Sequence, residues 1–221
     1  MKIAVVTSSI GSNDLLETIP FNGVDYHAFS DKPSPYWINH PIIPFSVDER
    51  FKNRRNAKVY KILPFAFLPD YDYYFWVDST HRVETDPNYV VTKYLSNSDI
   101  GVFKHPDRDC IYPEGEGVIR VNFDHKNLVE DQLAFYRDMK YPENNGLYEL
   151  PVRVQRNCNL TQRLGWMWWE QICMFSSRDQ ISFPFCLHQL GIKPSILPGT
   201  ANSIRGNDIM PQLAYSSHSR T

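Results

Sequence analysis

The acidic residue Asp78 directly follows residues 71–77, the most strand-like run of the chain, and begins the polar sequence Asp78-Ser79-Thr80. Open α/β sheets bind ligands at the carboxyl ends of their strands. A carboxylate there, with the Thr80 hydroxyl two residues on, could hold Mg²⁺ or Mn²⁺ against a diphosphate. The ion would neutralise charge on a departing phosphate. An Asp78 that only caps the following turn fits the same pattern.

A basic cluster, Arg54-Arg55-Asn56-Ala57-Lys58, lies near the start of a predicted helix over residues 50–67. Helix N-termini and guanidinium groups both favour phosphate. The cluster therefore predicts a phosphate contact, although a solvated helix face has the same composition.

Three tryptophans, Trp166, Trp168 and Trp169, fall within four positions. On a helix these positions point in different directions, so one core face cannot hold all three. The pattern is compatible with a sugar or base stacked on one or two of them, and equally with bulky core residues. Further on, Asp179 stands between Arg178 and Gln180, either as part of a helix cap or as a carboxylate near a reacting centre.

Two more candidate regions lie outside predicted helices. Residues 104–114 follow a short strand and contain His105 and Arg108, and loops on a rigid scaffold often carry binding groups. A plain surface loop is the alternative. In the polar C-terminal tail, His218 could supply a metal ligand if the tail folds over a site.

The elements that must position these residues alternate between strands and helices in the first hundred residues. Strands are predicted at residues 2–7, 24–29, 71–77 and 100–104, and helices at residues 50–67, 88–95 and 127–139, with a further helix ending near residue 190. Irregular, Pro-rich segments are expected to fill much of the second half. This order predicts an α/β fold with a nucleotide-binding first half and an acceptor-binding second half.

Composition excludes several classes of protein. Lys and Arg total 23 against 25 Asp and Glu, a formal net charge of −2, whereas nucleic-acid binders usually carry a basic excess. The four cysteines lack zinc-site spacing, and no apolar run approaches the roughly 20 residues of a membrane span. A soluble, cytoplasmic protein is expected. Aromatic residues form 14% of the chain, enough for a large core or for flat sugar-binding surfaces.

Taken in order, these motifs resemble the TOD/MUCI glycosyltransferase-like domain family over residues 50–190. The resemblance is carried by Arg54-Arg55 and Lys58, the strand leading to Asp78, Asp86-Pro87, His105 to Tyr112, Trp168-Trp169-Glu170 and the sequence from Ser177 to Phe183. The chain is also similar to the N-terminal glycosyltransferase domain of a multidomain chlorella-virus protein, which would place it in the cytoplasm of a host cell.

The resemblance implies a GT-A fold, that is, a single α/β domain over residues 1–221 with a Rossmann-like mixed central sheet flanked by helices. Residues 1–100 would bind a nucleotide-diphospho-sugar and residues 101–198 an acceptor, while residues 199–221 would close over the site. It further implies a divalent cation, Mn²⁺ or Mg²⁺, on an Asp-x-Asp-type motif. Thr80 stands where a second carboxylate often lies, which moves a ligand to the tail and to His218.

Site residues carried over from the family fall into four groups. Asp179 is the catalytic candidate, and Asp78, Thr80 and His218 are the metal ligands. The donor-binding residues are Thr7, Ser8, Asp31, Arg55, Lys58, Asp78, Arg178 and Gln180. The acceptor-binding residues are His105, Arg108, Trp168 and Trp169.

The implied reaction is transfer of a hexosyl or deoxyhexosyl group from a UDP-sugar to a glycan hydroxyl, with retention of configuration. If the reaction inverts, Asp179 or Glu170 becomes the general base. Two other classes stay open: a non-catalytic carbohydrate-binding module that uses the tryptophans, and a metal-dependent hydrolase.

Overall fold

Seven strands form one mixed sheet within residues 1–11 and 18–201, the parts of the chain that the computed structural model describes. The strands are β1 (Ile3–Ser9), β2 (Val24–Ser30), β3 (Ile38–His40), β4 (Tyr73–Val77), β5 (Ile100–Lys104), β6 (Tyr148–Arg156) and β7 (Ser195–Leu197). Their order across the sheet is β3-β2-β1-β4-β6-β5-β7.

The sheet has a parallel part and an antiparallel insertion. β1 pairs in parallel with β2 and β4, and β2 pairs in parallel with β3. β6 lies antiparallel between β4 and β5, while β7 is parallel to β5. Every residue of β1 is buried, as expected for a central strand covered on both faces.

Strand β6 is absent from the predicted strands because Pro151 and three charged residues interrupt its apolar pattern. It forms because Val152 and Val154 point into the core on one face of the sheet, while Leu150, at the irregularity, lies in the core on the other face. The β5–β6 register shifts between Val102 and Phe103, opposite residues 150–152. The irregularity therefore falls where Pro151 has no backbone N–H to donate.

Helices cover both faces of the sheet. They are α1 (Lys52–Ile62), α2 (Pro64–Phe67), α3 (Pro87–Tyr94), α4 (Ile111–Arg120), α5 (Lys126–Asp138), α6 (Asn159–Met174) and α7 (Asp179–Gln189). The single helix predicted over residues 50–67 is two, because Pro64 cannot continue α1 and instead begins α2. None of the helices in the described ranges has the length and apolar composition needed to cross a bilayer.

Two hydrophobic cores sandwich the sheet. Along β4, Tyr74 and Trp76 point into the larger core, whereas Phe75 and Val77 point into the smaller one. The larger core also includes residues of α1, α2 and α4–α7, and the smaller core includes residues of α3. The predicted α/β fold with a mixed sheet flanked by helices is confirmed.

The expectation of an irregular second half is wrong. Helices α4 to α7 and strand β6 occupy most of residues 111–189, and residues 111–114 of the predicted loop are the first turn of α4. Gly115 and Gly117 weaken the helical pattern of α4 in the sequence. Gly115 is needed for packing, since a Cβ there would lie 2.7 Å from Leu133 of α5.

Candidate active site

The carboxyl ends of the parallel strands β1 and β4 meet beside helix α1. β1 ends in the hydroxyl residues 7–9, and Asp78 follows β4. Because Val6 pairs with Trp76 in parallel register, both strands leave the sheet at the same edge. A cavity of about 170 Å³ opens there, lined by residues that include Ser8, Arg54, Lys58, Lys61, Trp76 and Asp78.

A second cavity of about 160 Å³ adjoins the first and shares Lys58, Lys61 and Asp78 with it. Its other lining comes from the start of β6 and the start of α7, including Glu149, Arg178, Asp179 and Gln180. We call the two cavities together the cleft. Elements distant in sequence therefore converge on one opening at the carboxyl edge of the sheet.

Four charged residues meet in the cleft: Lys58, Lys61, Asp78 and Asp179, here called the lysine–aspartate cluster. The ammonium groups of Lys58 and Lys61 each lie 2.7 Å from Asp179 Oδ2, and Lys61 Nζ lies 3.3 Å from Asp78 Oδ1. The Lys61 side chain is only 2% exposed and that of Asp179 only 6%. Such charges are expensive to bury unless they are paired, and here each has an opposite partner.

Burial and pairing change the protonation equilibria of this cluster. Burial lowers the pKa of Lys58 to about 8, partly offset by the attraction of Asp179. Burial also opposes ionisation of Asp179, but Lys58, Lys61 and Arg178 outweigh it and hold the pKa of that carboxyl well below its ordinary value. Asp179 is therefore a carboxylate throughout the physiological pH range.

A second buried carboxylate, Asp124, fixes the turn that delivers Asp179. Asp124 Oδ2 accepts hydrogen bonds from Ser176 Oγ (2.9 Å), the Ser177 backbone N–H (2.8 Å) and Ser177 Oγ (2.6 Å). The backbone N–H of Arg178 in turn donates to Ser176 Oγ at 3.0 Å. Asp179 is consequently the first residue of α7, where the helix N-terminus favours a negative charge.

Trp168 lies beneath the cleft and not in it. Its side chain is fully buried, and Nε1 donates to Ser182 Oγ at 3.0 Å. The guanidinium of buried Arg153 lies 4.9 Å from the centre of the Trp168 ring and also donates to the Lys61 carbonyl. The prediction that Trp168 binds an acceptor sugar is therefore wrong, because this residue supports the backbone that carries Lys61.

Trp169 belongs to a different surface. It is partly exposed and packs edge-to-face against Phe45, with ring centres 5.2 Å apart. Both line a groove of about 400 Å³ between residues 45–48 and the end of α6. Trp169 is thus separate from the cleft, and its predicted contact with an acceptor stays a prediction.

Arg55 also points away from the cleft. Its guanidinium donates to the carbonyl groups of Ile172 (2.5 Å) and Phe175 (2.8 Å) and to Asp48 Oδ2 (3.2 Å). With these acceptors engaged, Arg55 joins α1 to the end of α6. The prediction that Arg55 faces the donor is corrected: Lys58, three residues later, lines the cleft instead.

The strand-end residues Thr7 and Ser8 have buried hydroxyl oxygens without a hydrogen-bond partner among the described residues. Ser8 lines the cleft. Asp31, after β2, accepts the Gly11 backbone N–H at 2.8 Å and so holds the loop after β1, where Gly11 has a φ of 66°. The Ser8 hydroxyl is therefore available to a polar ligand in the cleft, whereas Thr7 lines neither cavity.

Arg178 and Gln180 line the second cavity, next to Asp179. Their side chains bond each other, Arg178 donating to Gln180 Oε1 at 3.0 Å. His105 and Arg108 lie on the loop after β5, where Arg108 pairs with Glu114 at 2.8 Å. His105 and Arg108 are not among the residues that line the cleft, so their acceptor-binding role stays a prediction.

The described residues fit a divalent cation poorly. Asp78 Oδ1 already accepts from Trp76 Nε1 at 2.6 Å and lies 3.3 Å from the Lys61 ammonium. Thr80 Oγ1 is hydrogen-bonded to His81 Nδ1 at 3.0 Å. No group of three or more His, Cys, Asp or Glu that could hold a metal occurs in the described ranges. His218 lies outside them, so the predicted metal set of Asp78, Thr80 and His218 stays a prediction.

Lys61 and Asp124 are missing from the sequence-based candidates. Lys61 has a findable signal, because Arg54, Lys58 and Lys61 are spaced four and three residues apart and so share one helical face. Asp124 has none, since it lies 52 residues from Ser176 and only the fold brings them together.

Comparison with known proteins places the chain in a family. Residues 43–200, more than half of the chain, match the family described as "TOD1/MUCI70, glycosyltransferase-like domain". The chain belongs to this family. The similarity to a chlorella-virus domain stays a prediction.

Individual relatives are distant. The chain is 25% identical over 140 residues to "Probable hexosyltransferase MUCI70" of Arabidopsis thaliana, a match covering 59% of this chain and 24% of that protein. The "WbbM bifunctional glycosytransferase apo structure" superposes with a TM-score of 0.50 at 12% identity, covering 89% of this chain and 39% of that one. A galactosyltransferase, LgtC, gives a TM-score of 0.48 at 10% identity, over 85% of this chain and 70% of that one. The fold is GT-A, as predicted, and the chain spans about a quarter of its plant relative.

Proposed function

We propose that this chain transfers a hexosyl group from a nucleotide-diphospho-sugar, a UDP-hexose, to a hydroxyl group of a glycan. Membership of a glycosyltransferase-like family supports the reaction class. The hexosyl group is proposed from the name of the plant relative, "Probable hexosyltransferase". UDP as the nucleotide is carried from the sequence-based prediction.

The observation that carries the proposal is the buried lysine–aspartate cluster at the carboxyl edge of the sheet. Lys58 and Lys61 hold ammonium groups on one side of the cleft, and the Ser8 hydroxyl, which has no hydrogen-bond partner within residues 1–11 and 18–201, lines it at the end of β1. A diphosphate needs cationic donors, while a nucleoside needs polar groups at the strand ends. The cleft presents both on rigid elements.

Within this proposal, the lysines act on the leaving group and Asp179 acts on the sugar. Preorganised ammonium groups stabilise the negative charge that develops on the departing phosphate. Asp179 stays ionised because its pKa is held down by Lys58, Lys61 and Arg178 against the effect of burial. Such a carboxylate suits stabilisation of positive charge on the sugar ring and is a weak proton acceptor.

This protonation state favours retention over inversion. An inverting enzyme needs a general base for the acceptor hydroxyl, and Asp179 is too acidic for that role. Glu170, the other candidate base, is exposed on α6 and lines neither described cavity. We therefore keep retention of configuration as part of the proposal.

The alternative function, a carbohydrate-binding module that stacks sugars on the tryptophans, is less well supported, because Trp168 is buried in the core. Calorimetry with UDP-, GDP- and dTDP-sugars distinguishes the two functions, with glycan oligosaccharides titrated in parallel. We expect one nucleotide-sugar to bind and to release its nucleotide diphosphate when an acceptor glycan is added. Glycan binding with no affinity for any nucleotide-sugar would replace the enzyme by the module.

A further inference from the structure

We propose that the ammonium groups of Lys58 and Lys61, and not a divalent cation, supply the positive charge that stabilises the departing diphosphate. The inference rests on the proposed function and describes how the same cleft performs it. It departs from the metal dependence that the family resemblance implies.

The position of Lys61 is the first argument. Its Nζ lies between the two carboxylates of the cluster, 2.7 Å from Asp179 Oδ2 and 3.3 Å from Asp78 Oδ1. A divalent ion bound at Asp78 would stand beside this ammonium, in a setting where like charges repel strongly. The Lys61 side chain is only 2% exposed, so solvent does little to screen that repulsion.

The ligand chemistry of Asp78 is the second argument. Oxygen Oδ1 accepts the Trp76 indole N–H at 2.6 Å, on the same oxygen that faces Lys61. Mg²⁺ and Mn²⁺ prefer oxygen ligands with free lone pairs, usually carboxylates together with phosphates and water. In this cleft the oxygen nearest the cluster is already used by two N–H donors.

The charge of the cleft is the third argument. Four cationic side chains, Arg54, Lys58, Lys61 and Arg178, line the two cavities, against the three acidic side chains Asp78, Glu149 and Asp179. Buried Arg153 adds another positive charge behind Lys61. Positive charge around a site opposes binding of a divalent cation, whereas the excess of positive charge in this cleft suits a diphosphate dianion.

The reaction can be balanced with these groups alone. The bond between the sugar C1 and the β-phosphate oxygen breaks, and its electron pair stays on the diphosphate. The acceptor oxygen bonds to C1, and its proton passes to the released diphosphate. Lys58 and Lys61 share Asp179 Oδ2 in the free protein and can donate to phosphate oxygens when the donor enters. Asp179 then faces the sugar with its charge less neutralised.

The experiment measures UDP binding by calorimetry and turnover of UDP-glucose, each in EDTA and in MnCl₂. We expect the wild-type affinity for UDP and the turnover to agree within about twofold between the two buffers. Lys61→Met should weaken UDP binding about 10- to 100-fold, the usual value of one charge-assisted hydrogen bond. MnCl₂ should not restore it, while Lys61→Arg should recover part of the affinity.

Two results would overturn the inference. One is wild-type UDP binding that disappears in EDTA and returns with Mn²⁺, which would leave the proposed function intact. The other is unchanged UDP affinity in a folded Lys61→Met protein. If Lys61→Met does not fold, the wild-type comparison between EDTA and Mn²⁺ decides alone. A wild-type protein that binds no nucleotide-sugar in either buffer would instead refute the proposed function itself.

Discussion

Helix α1 carries basic side chains on two faces, and their surroundings differ sharply. On one face, Lys58 and Lys61 reach into the cleft and meet carboxylates that a ligand can replace as partners. On the other face, Arg55 is bonded to backbone carbonyl groups of α6 and to Asp48. Arg54 and Arg55 are consecutive and so differ by about 100° around the helix axis. Arg54 therefore lines the cleft with Lys58 and Lys61, while Arg55 turns toward α6.

The comparison teaches how to separate a binding cation from a structural one. Both kinds are buried and paired, so burial alone does not distinguish them. Arg55 is held by acceptors that belong to the backbone and stay in place. The lysines are held by the carboxylate of Asp179, a side chain that lines the cleft and that a ligand's phosphate can replace as their partner.

Arg55→Met should lower the free energy of unfolding by about 3–5 kcal/mol, as expected when one partner of a buried charged network is removed. Asp48 and two carbonyl groups would lose their donor. Urea denaturation measures the change. The folded fraction should bind UDP as the wild type does. A loss of UDP affinity in fully folded Arg55→Met protein would return Arg55 to the residues that bind the nucleotide-sugar.

Lys58→Met should weaken UDP-glucose binding about 10- to 100-fold through loss of one charge-assisted hydrogen bond. Asp179 keeps Lys61 as its partner, so the free energy of unfolding should change far less than in Arg55→Met. Lys52→Met is the matched control, since Lys52 lies on α1 with a side chain 53% exposed. Equal affinities for the two variants would remove the distinction between the faces.

Raising the pH from 7 to 9 should reduce the affinity for UDP about 5- to 10-fold. Burial lowers the pKa of Lys58 to about 8, so its ammonium group loses its charge over this range. The folded protein binds fewer protons than the unfolded chain between pH 8 and 10.5, so this group makes unfolding less favourable as pH rises. Affinity and the Lys58 contribution to stability should therefore change in opposite directions. A pH profile of UDP affinity that is identical in Lys58→Met would assign the effect to another group.

Asn56→Ala should have the smallest effect, about 1–2 kcal/mol of unfolding free energy, because the buried amide oxygen is lost but the two backbone N–H groups it accepts from belong to residues with access to water. Asn56 Oδ1 accepts the backbone N–H groups of Phe45 (3.1 Å) and Ser46 (2.9 Å). Thermal denaturation would detect the change. The affinity for UDP should not change, and weaker UDP binding by this variant would show that residues 41–47 act on the cleft through α1.

Much of the fold could be predicted from local patterns. The apolar runs of β1 and β4 and the polar residues after each identify a sheet edge, and Asp78 lies in the cleft at that edge. Strand β6 could not be predicted, because Pro151 hides it and its partners β4 and β5 lie far away in sequence. The role of each tryptophan was equally hidden: the spacing shows that Trp166, Trp168 and Trp169 diverge, but only packing shows that Trp168 is the buried one.

The site shows the same division. Asp179 could be singled out as a polar residue ahead of an apolar helix, and the structure places it among opposite charges. The turn that holds it depends on Asp124, which no local pattern connects to Ser176 and Ser177. Long-range hydrogen bonds of this kind are fixed by the fold and leave no periodic signal.

The place of β6 in the sheet also sets the order in which the protein can assemble. A chain that emerges from the ribosome has made β1, β2, β3 and β4 by residue 77, and these strands are neighbours in one parallel unit. β5 follows, but it cannot join them, because the position between β4 and β5 belongs to residues 148–156. The outer edge of β4 must therefore wait through some 70 residues of synthesis, a long loop to close. The nascent protein exposes an unpaired strand edge during that interval, and its cleft is completed only after α7 has been made.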